Sequence, residues 1–308
     1  MYVYGPVPSR RLGRSLGVSP IPAKVCSYTC VYCQLGRTNR LQVERESFFP
    51  RDTILSEIIE HARKTAPEYV TFVGDGEPTL CADLGWLIQE TKTHIGAKTA
   101  VITNGSLLYR KDVRDDLCHA DVVIPTLDAG DEAIFRMINR PHREITYDRM
   151  IQGLIDFRLV YTGELWIEVM LVKGLNDGDD SLGRIRKVID TVRPDRVYVL
   201  APIRPPAEHW VEPPVLKRIL KAQSILGGAI PIVDRETGEF ALENFSDART
   251  ALLEIGSRHP LRRDQAEEIA RRLAGEKVVP ELIASGDLIV TEFDGRQYLL
   301  PRHFRRSH

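Results

Sequence analysis

Tyr69-Val70-Thr71-Phe72-Val73 is a short apolar, β-branched run, and it ends at Gly74-Asp75-Gly76-Glu77-Pro78, a polar loop that breaks any regular element. The same figure recurs along the chain. Strand-like runs at 15–20, 98–103, 121–127, 165–172 and 196–201 are each bounded by Gly, Pro, Asn or Asp. Between them, 52–65, 84–93, 110–118, 147–160 and 181–192 carry apolar residues at helical spacing. Asp52 and Ser181 stand where N-caps belong. Six strands alternating with helices predict an α/β domain on a parallel sheet with right-handed crossovers. Strands apolar throughout suit a sheet covered on both faces or rolled into a barrel.

In such folds chemistry sits in the loops after the strands. Those loops hold 26–33, 74–78, Thr103-Asn104-Gly105, Asp128-Ala129-Gly130 and Lys173-Gly174-Leu175-Asn176. The first contains Cys26-Ser27-Tyr28-Thr29-Cys30-Val31-Tyr32-Cys33, a C-x3-C-x2-C spacing. Three thiolates so placed can each bind a different iron of one 4Fe–4S cube, leaving the fourth iron open to a substrate or cofactor. The alternative on spacing alone is a zinc site completed by Cys81 or Cys118. Otherwise those two cysteines read as buried small hydrophobes.

The 308 residues suffice for one large domain and a small one, and a net charge of −1 makes no global case for a nucleic-acid partner. Before residue 52, however, Arg10, Arg11, Arg14, Lys24, Arg37, Arg40, Arg45 and Arg51 face only Glu44 and Glu46, which favours an anion near that end. Five cysteines, three of them clustered, are not a secreted disulfide framework, and no apolar run is long enough for a bilayer, so cytoplasmic residence is expected. Alternation stops near Ala201. A proline-rich connector with a helix at 214–226 leads to a boundary near 245–247. Helices at 247–257, 262–274 and 277–285, then strands at 288–293 and 296–300 around Asp294-Gly295, follow the order of a winged helix. The expected domains are 1–245 and 246–308, the second able to touch nucleic acid or protein, or to cap the barrel.

Cys26-x3-Cys30-x-Tyr32-Cys33, together with Gly76-Glu77-Pro78, resembles the motif pair of the radical S-adenosylmethionine (SAM) superfamily, with Asp75 where glycine is commoner. The resemblance covers roughly residues 1–240 and implies a partial (βα)6 barrel. It also implies one 4Fe–4S cluster on Cys26, Cys30 and Cys33, SAM as cofactor, and flavodoxin or ferredoxin as electron donor. SAM would be bound by Tyr32, Gly76, Glu77, Pro78, Thr103, Asn104 and Asp128. Tyr32 would lie near the adenine, Gly76 and Glu77 at the methionyl ammonium, and the last three at the carboxylate and ribose hydroxyls. The implied activity is cleavage of SAM to a 5′-deoxyadenosyl radical that modifies a substrate such as a tRNA base. The opening from Tyr4 to Gly17, and Leu171-Val172-Lys173-Gly174-Leu175-Asn176, resemble a bacterial and archaeal group related to the wyosine-type tRNA-modifying enzymes. Those enzymes hold a second cluster on cysteines preceding the first motif, and no cysteine precedes Cys26 here. Candidate substrate-binding residues are Arg10, Arg11, Arg14, Lys173 and Asn176. Glu168 faces either the barrel interior or its wall. The competing reading is an iron–sulfur redox-sensing regulator that binds nucleic acid through the winged helix; a sensor has no use for the Gly76-Glu77-Pro78 loop.

Overall fold

The computed structural model describes residues 2–9, 11–232, 240, 242 and 245–302. The chain opens with β1 (Val3–Ser9) antiparallel to β2 (Gly13–Val18), Val3 opposite Val18 and Ser9 opposite Gly13. A two-residue parallel pair, β3 (Val25–Cys26) and β4 (Arg40–Leu41), frames the cysteine loop. Then come α1 (Arg51–Thr65), β5 (Tyr69–Phe72), α2 (Leu84–His94), β6 (Lys98–Thr103), α3 (Lys111–Leu117), β7 (Val122–Pro125), α4 (Glu132–Ile138), α5 (Tyr147–Val160), β8 (Glu164–Met170), α6 (Asp179–Val192), β9 (Arg196–Leu200), α7 (Leu216–Ile225) and β10 (Ile230–Ile232). Among the described residues eight strands form one sheet, ordered β1-β2-β5-β6-β7-β8-β9-β10, and every neighbour pair from β2 to β10 is parallel.

Alternation along each strand divides the apolar residues between two faces. Val123, Leu165, Ile167 and Val169 pack outward against the helices in the main core. Ala100, Val122, Ile124, Trp166 and Tyr198 point the other way and, with Leu12, plug the bottom of the curved sheet. Glu168 shares its face with Trp166 and Met170, so it faces the interior. The apolar plug seals one end, and polar groups gather above it at the C-terminal ends of the strands.

After β10 the chain forms α8 (Ala248–Arg258), β11 (Leu261–Arg262), α9 (Arg263–Arg272), α10 (Val278–Ala284), β12 (Leu288–Phe293) and β13 (Arg296–Pro301). These bury an apolar cluster of their own, centred on Leu252, Ile269, Leu282 and Leu299. The turn at Asp294-Gly295 uses positive φ at both residues, as a tight hairpin requires.

Several expectations need correction. The N-cap of α1 is Pro50, and Asp52 sits inside the first turn, where its charge still faces the helix N-terminus. The N-cap of α6 is Gly178, with Ser181 buried within the helix. β1, β10 and α4 are additional elements. The second C-terminal helix starts at Arg263 because Leu261 and Arg262 pair with β13. Cys81 is buried in the core, whereas Cys118, at the C-terminal end of α3, is exposed. No helix among the described residues is long and apolar enough to cross a membrane.

Candidate active site

The cysteine loop is held from several sides. Thr29 and Val31 donate backbone N–H bonds to the carbonyls of Asn139 and Ile138, at the C-terminal end of α4 (3.1 and 2.9 Å). Glu208, in the segment after β9, donates its own N–H to the Val31 carbonyl at 3.0 Å. Its buried carboxylate accepts from Arg37 at 2.9 and 3.0 Å and from Arg140 at 2.6 Å. The Glu208 clasp therefore fastens three separate segments around the cysteines.

Cys26, Cys30 and Cys33 all line one cavity, of about 430 Å³, in the size range of small-molecule sites. N–H groups point at their sulfurs. The Tyr28 amide and Asn104 Nδ2 lie 3.4 and 3.6 Å from Cys26 Sγ, and Asn139 Nδ2 lies 3.6 Å from Cys30 Sγ. Burial pushes the Cys26 thiol up to about 12 and the Cys30 thiol well above its ordinary value. Buried thiols of this kind become thiolates when a bound cation compensates the charge. Donors aimed at sulfur are the outer contacts that iron–sulfur ligands use. Among the described residues no three His, Cys, Asp or Glu side chains converge on a single ion. A cube would take its three ligands on three different irons, and three cysteines lining one cavity with N–H donors at their sulfurs fit such a group. Cys81 lies in the main core and Cys118 at the surface, and neither lines the cavity.

The loop after β5 abuts the cysteine loop directly. A Cβ at Gly76 would stand 1.9 Å from the Val25 carbonyl oxygen, so only glycine fits. Glu77 donates its N–H to that same oxygen at 3.0 Å. Glu77 is 1% exposed and its carboxylate is heavily hydrogen-bonded. It accepts from the Thr79 amide (3.0 Å), the Thr79 and Thr103 hydroxyls (both 2.6 Å) and the Asn104 amide (2.7 Å). Burial raises its pKa against the pull of those donors. Pro78 opens the buried 3-10 turn that follows. The Glu77 carboxylate and the Thr103 hydroxyl are thus occupied with each other.

Asp128, beyond β7, is built the same way. At 2% exposure it accepts from the Tyr32 hydroxyl at 2.5 Å, Asn139 Nδ2 at 2.7 Å and the Met170 amide at 2.8 Å. Burial still pushes its pKa up to about 6. Asn139 bonds Asp128 and Cys30 at once, and Asn104 bonds Cys26 and Ser27. The polar network joining the rim loops therefore ends on the sulfurs.

Deeper in the cavity, Arg11 forms an ion pair with Glu168, and the Ser15 and Thr71 hydroxyls share a 2.6 Å bond. Of the other substrate-binding candidates, Arg10 lies outside the described residues. Arg14 is exposed and bonds the Ala66 carbonyl, with Glu68 nearby. Lys173 pairs with Glu212 on the surface. Asn176 is buried and staples the turn after β8 through Val172 N, Met170 O and Asp128 O. The basic bias before residue 52 is largely neutralised in place: Arg37 by Glu208, Arg40 by Glu46, Arg45 by Asp112 and Asp116, and Arg51 by Asp83. Much of the positive charge expected to attract an anion is therefore met by carboxylates of the chain itself. Asn139, Glu168 and Glu208 are contributors that no local motif announces.

A family model described as the radical SAM superfamily matches residues 21–183, which hold both motif loops. A UPF0026 protein of Methanocaldococcus jannaschii is 36% identical over 307 residues, covering 96% of this chain and 95% of the relative. An S-adenosylmethionine-dependent nucleotide dehydratase of Flammeovirga pacifica is 25% identical over 186 residues, 58% of this chain and 60% of the relative. Among solved structures, SuiB of Streptococcus suis bound to S-adenosylmethionine shares the fold at TM-score 0.51 and 17% identity, over 66% of this chain and 45% of SuiB.

Proposed function

Since this chain belongs to the radical SAM superfamily, we propose that it is an enzyme that holds one 4Fe–4S cluster on Cys26, Cys30 and Cys33 and cleaves SAM reductively to a 5′-deoxyadenosyl radical. The observation that carries this reading is the contact between the two motif loops: Gly76 and Glu77 meet the backbone at Val25, one residue before the first cysteine. When bound, the cluster supplies the electron and an open iron for the amino and carboxylate groups of SAM. The chain's own residues do the positioning. The Glu77 carboxylate and backbone carbonyls of the 74–77 loop receive the methionyl ammonium. Tyr32, braced by Asp128, lies beside the adenine. Asn104 and Asn139 hold the sulfurs and the rim in register. The seal of apolar residues below and the C-terminal domain above keep water from the radical.

The substrate we favour is a nucleobase-bearing molecule. Support comes from the similarity to a relative named as a nucleotide dehydratase, and from the helix-then-hairpin order of 246–308, which we read as a winged-helix-like domain. A flavodoxin or ferredoxin would deliver the electron in the cytoplasm. The test is anaerobic reconstitution with iron and sulfide, reduction in the presence of SAM, and chromatography for 5′-deoxyadenosine. The intact protein should form it and Cys30→Ala should form none. An iron–sulfur sensor would form none even when intact, which would overturn the proposal.

A further inference from the structure

Asp75 is the position at which the SAM loop departs from its commoner form, and the structure gives it a partner 183 residues away. Arg258 Nε, at the end of α8, lies 3.2 Å from Asp75 Oδ2, with both side chains less than one-fifth exposed. The Arg258 guanidinium also sits over the Tyr4 ring, 5.0 Å from its centroid. Tyr4 in turn lies flat on β2, because a Cβ at Gly17 would collide with its ring. The Arg258 carbonyl accepts from Gln34 Nε2 at 3.1 Å, on the residue after Cys33. Arg204 bonds Gln34 at 2.8 Å and also reaches His259. One helix end of the C-terminal domain thus touches the SAM loop and the cluster loop together, at the mouth of the cavity.

We infer that Arg258 is a positioning residue for the SAM-binding loop, and that the docked C-terminal domain completes the cofactor site. This rests on the reading of Gly74-Asp75-Gly76-Glu77-Pro78 as that loop. A guanidinium fixed between a carboxylate and an aromatic face leaves the Asp75 backbone one position. The Asp75 carbonyl accepts from Lys24 N at 2.6 Å, so that position extends to the strand carrying Cys26. Coupling of this kind is reciprocal: if docking strengthens SAM binding, SAM must strengthen docking by the same factor.

The test uses the full-length, anaerobically reconstituted protein and two readouts besides turnover. Equilibrium dialysis with labelled SAM gives the affinity. Limited proteolysis within 246–308, with and without SAM, gives docking. Arg258→Ala should weaken SAM binding about tenfold, and SAM should slow cleavage of the intact protein by a similar factor but leave the variant unprotected. Asp75→Asn should act in the same direction. The exchange Asp75→Arg with Arg258→Asp should restore part of both effects, which a variant that merely misfolds would not do. An Arg258→Ala affinity within twofold of the intact protein, or intact protein that SAM does not protect, overturns the inference. Failure of the intact protein to bind SAM at all would instead overturn the function proposed above, and this inference with it.

Discussion

The two walls of the cavity are held in different ways. The rim wall rests on two carboxylates, Glu77 and Asp128, each almost fully buried and together receiving seven hydrogen bonds from hydroxyl, amide and backbone donors. The opposite wall, from the C-terminal domain, rests on a few long side chains: Arg258 on Asp75, Gln34 on the Arg258 carbonyl, and Tyr298 on the Ile203 carbonyl at 2.7 Å. Partly exposed contacts of that sort contribute about 1 kcal/mol or less each. Stranding a buried partner costs more. The C-terminal domain also has its own apolar cluster, distinct from the barrel core. One wall is thus built into the parallel sheet, whereas the other rests on side chains reaching from a segment with its own apolar cluster.

The difference can be broken or sharpened by substitution. The largest effect should come from Gly76→Ala on the rim. The added methyl would meet a backbone carbonyl that cannot swing away, so about 3 kcal/mol of stability and measurable SAM binding should both be lost, read by denaturant unfolding and dialysis. If the variant is as stable as the parent, the rim is less rigid than its contacts imply.

A smaller effect is expected at Asp128, and it should depend on pH. Its folded pKa, about 6, lies above the ordinary 3.8, so the folded state holds this proton more tightly than the unfolded chain does. Its contribution is therefore fully present below pH 4 and is lost as pH rises through 6. Relative to Asp128→Asn, the cluster-free protein should lose about 1 kcal/mol between pH 5 and pH 7.5 in guanidinium titrations. A difference independent of pH would mean that the carboxylate is ionised throughout. The smallest effect belongs to the C-terminal wall. Tyr298→Phe removes one hydrogen bond at that interface, and should raise protease cleavage of 246–308 about threefold while leaving the barrel's unfolding midpoint unchanged. A shift of the barrel midpoint would show that the walls are one cooperative unit.

What could be read in the sequence followed short-range rules. The six parallel strands and their loops were legible because apolar runs ending in glycine-rich turns announce themselves locally. β1 and β10 were not, since Pro6, Pro8 and Pro231 argue against a strand everywhere except at an edge, which is where both lie. α4 was not read either, although α3 and α10 are as short and were. In the candidate site, the cysteines stood out by their spacing, and Tyr32, Gly76 and Glu77 by the resemblance of their motifs to the family's. The partners that hold them were hidden: Asn139, Glu208 and Arg258 reach their targets across long stretches of chain, and no periodicity encodes such a meeting. The same blindness made the N-terminal arginines look like an anion site when most were already paired at home.

Gly76 packed against the Val25 carbonyl has a practical meaning for protein engineers. Anyone grafting this corner onto another scaffold must transplant the two loops as a single piece, with their mutual spacing intact. A library that diversifies one while freezing the other will mostly sample sequences in which the pair no longer mates.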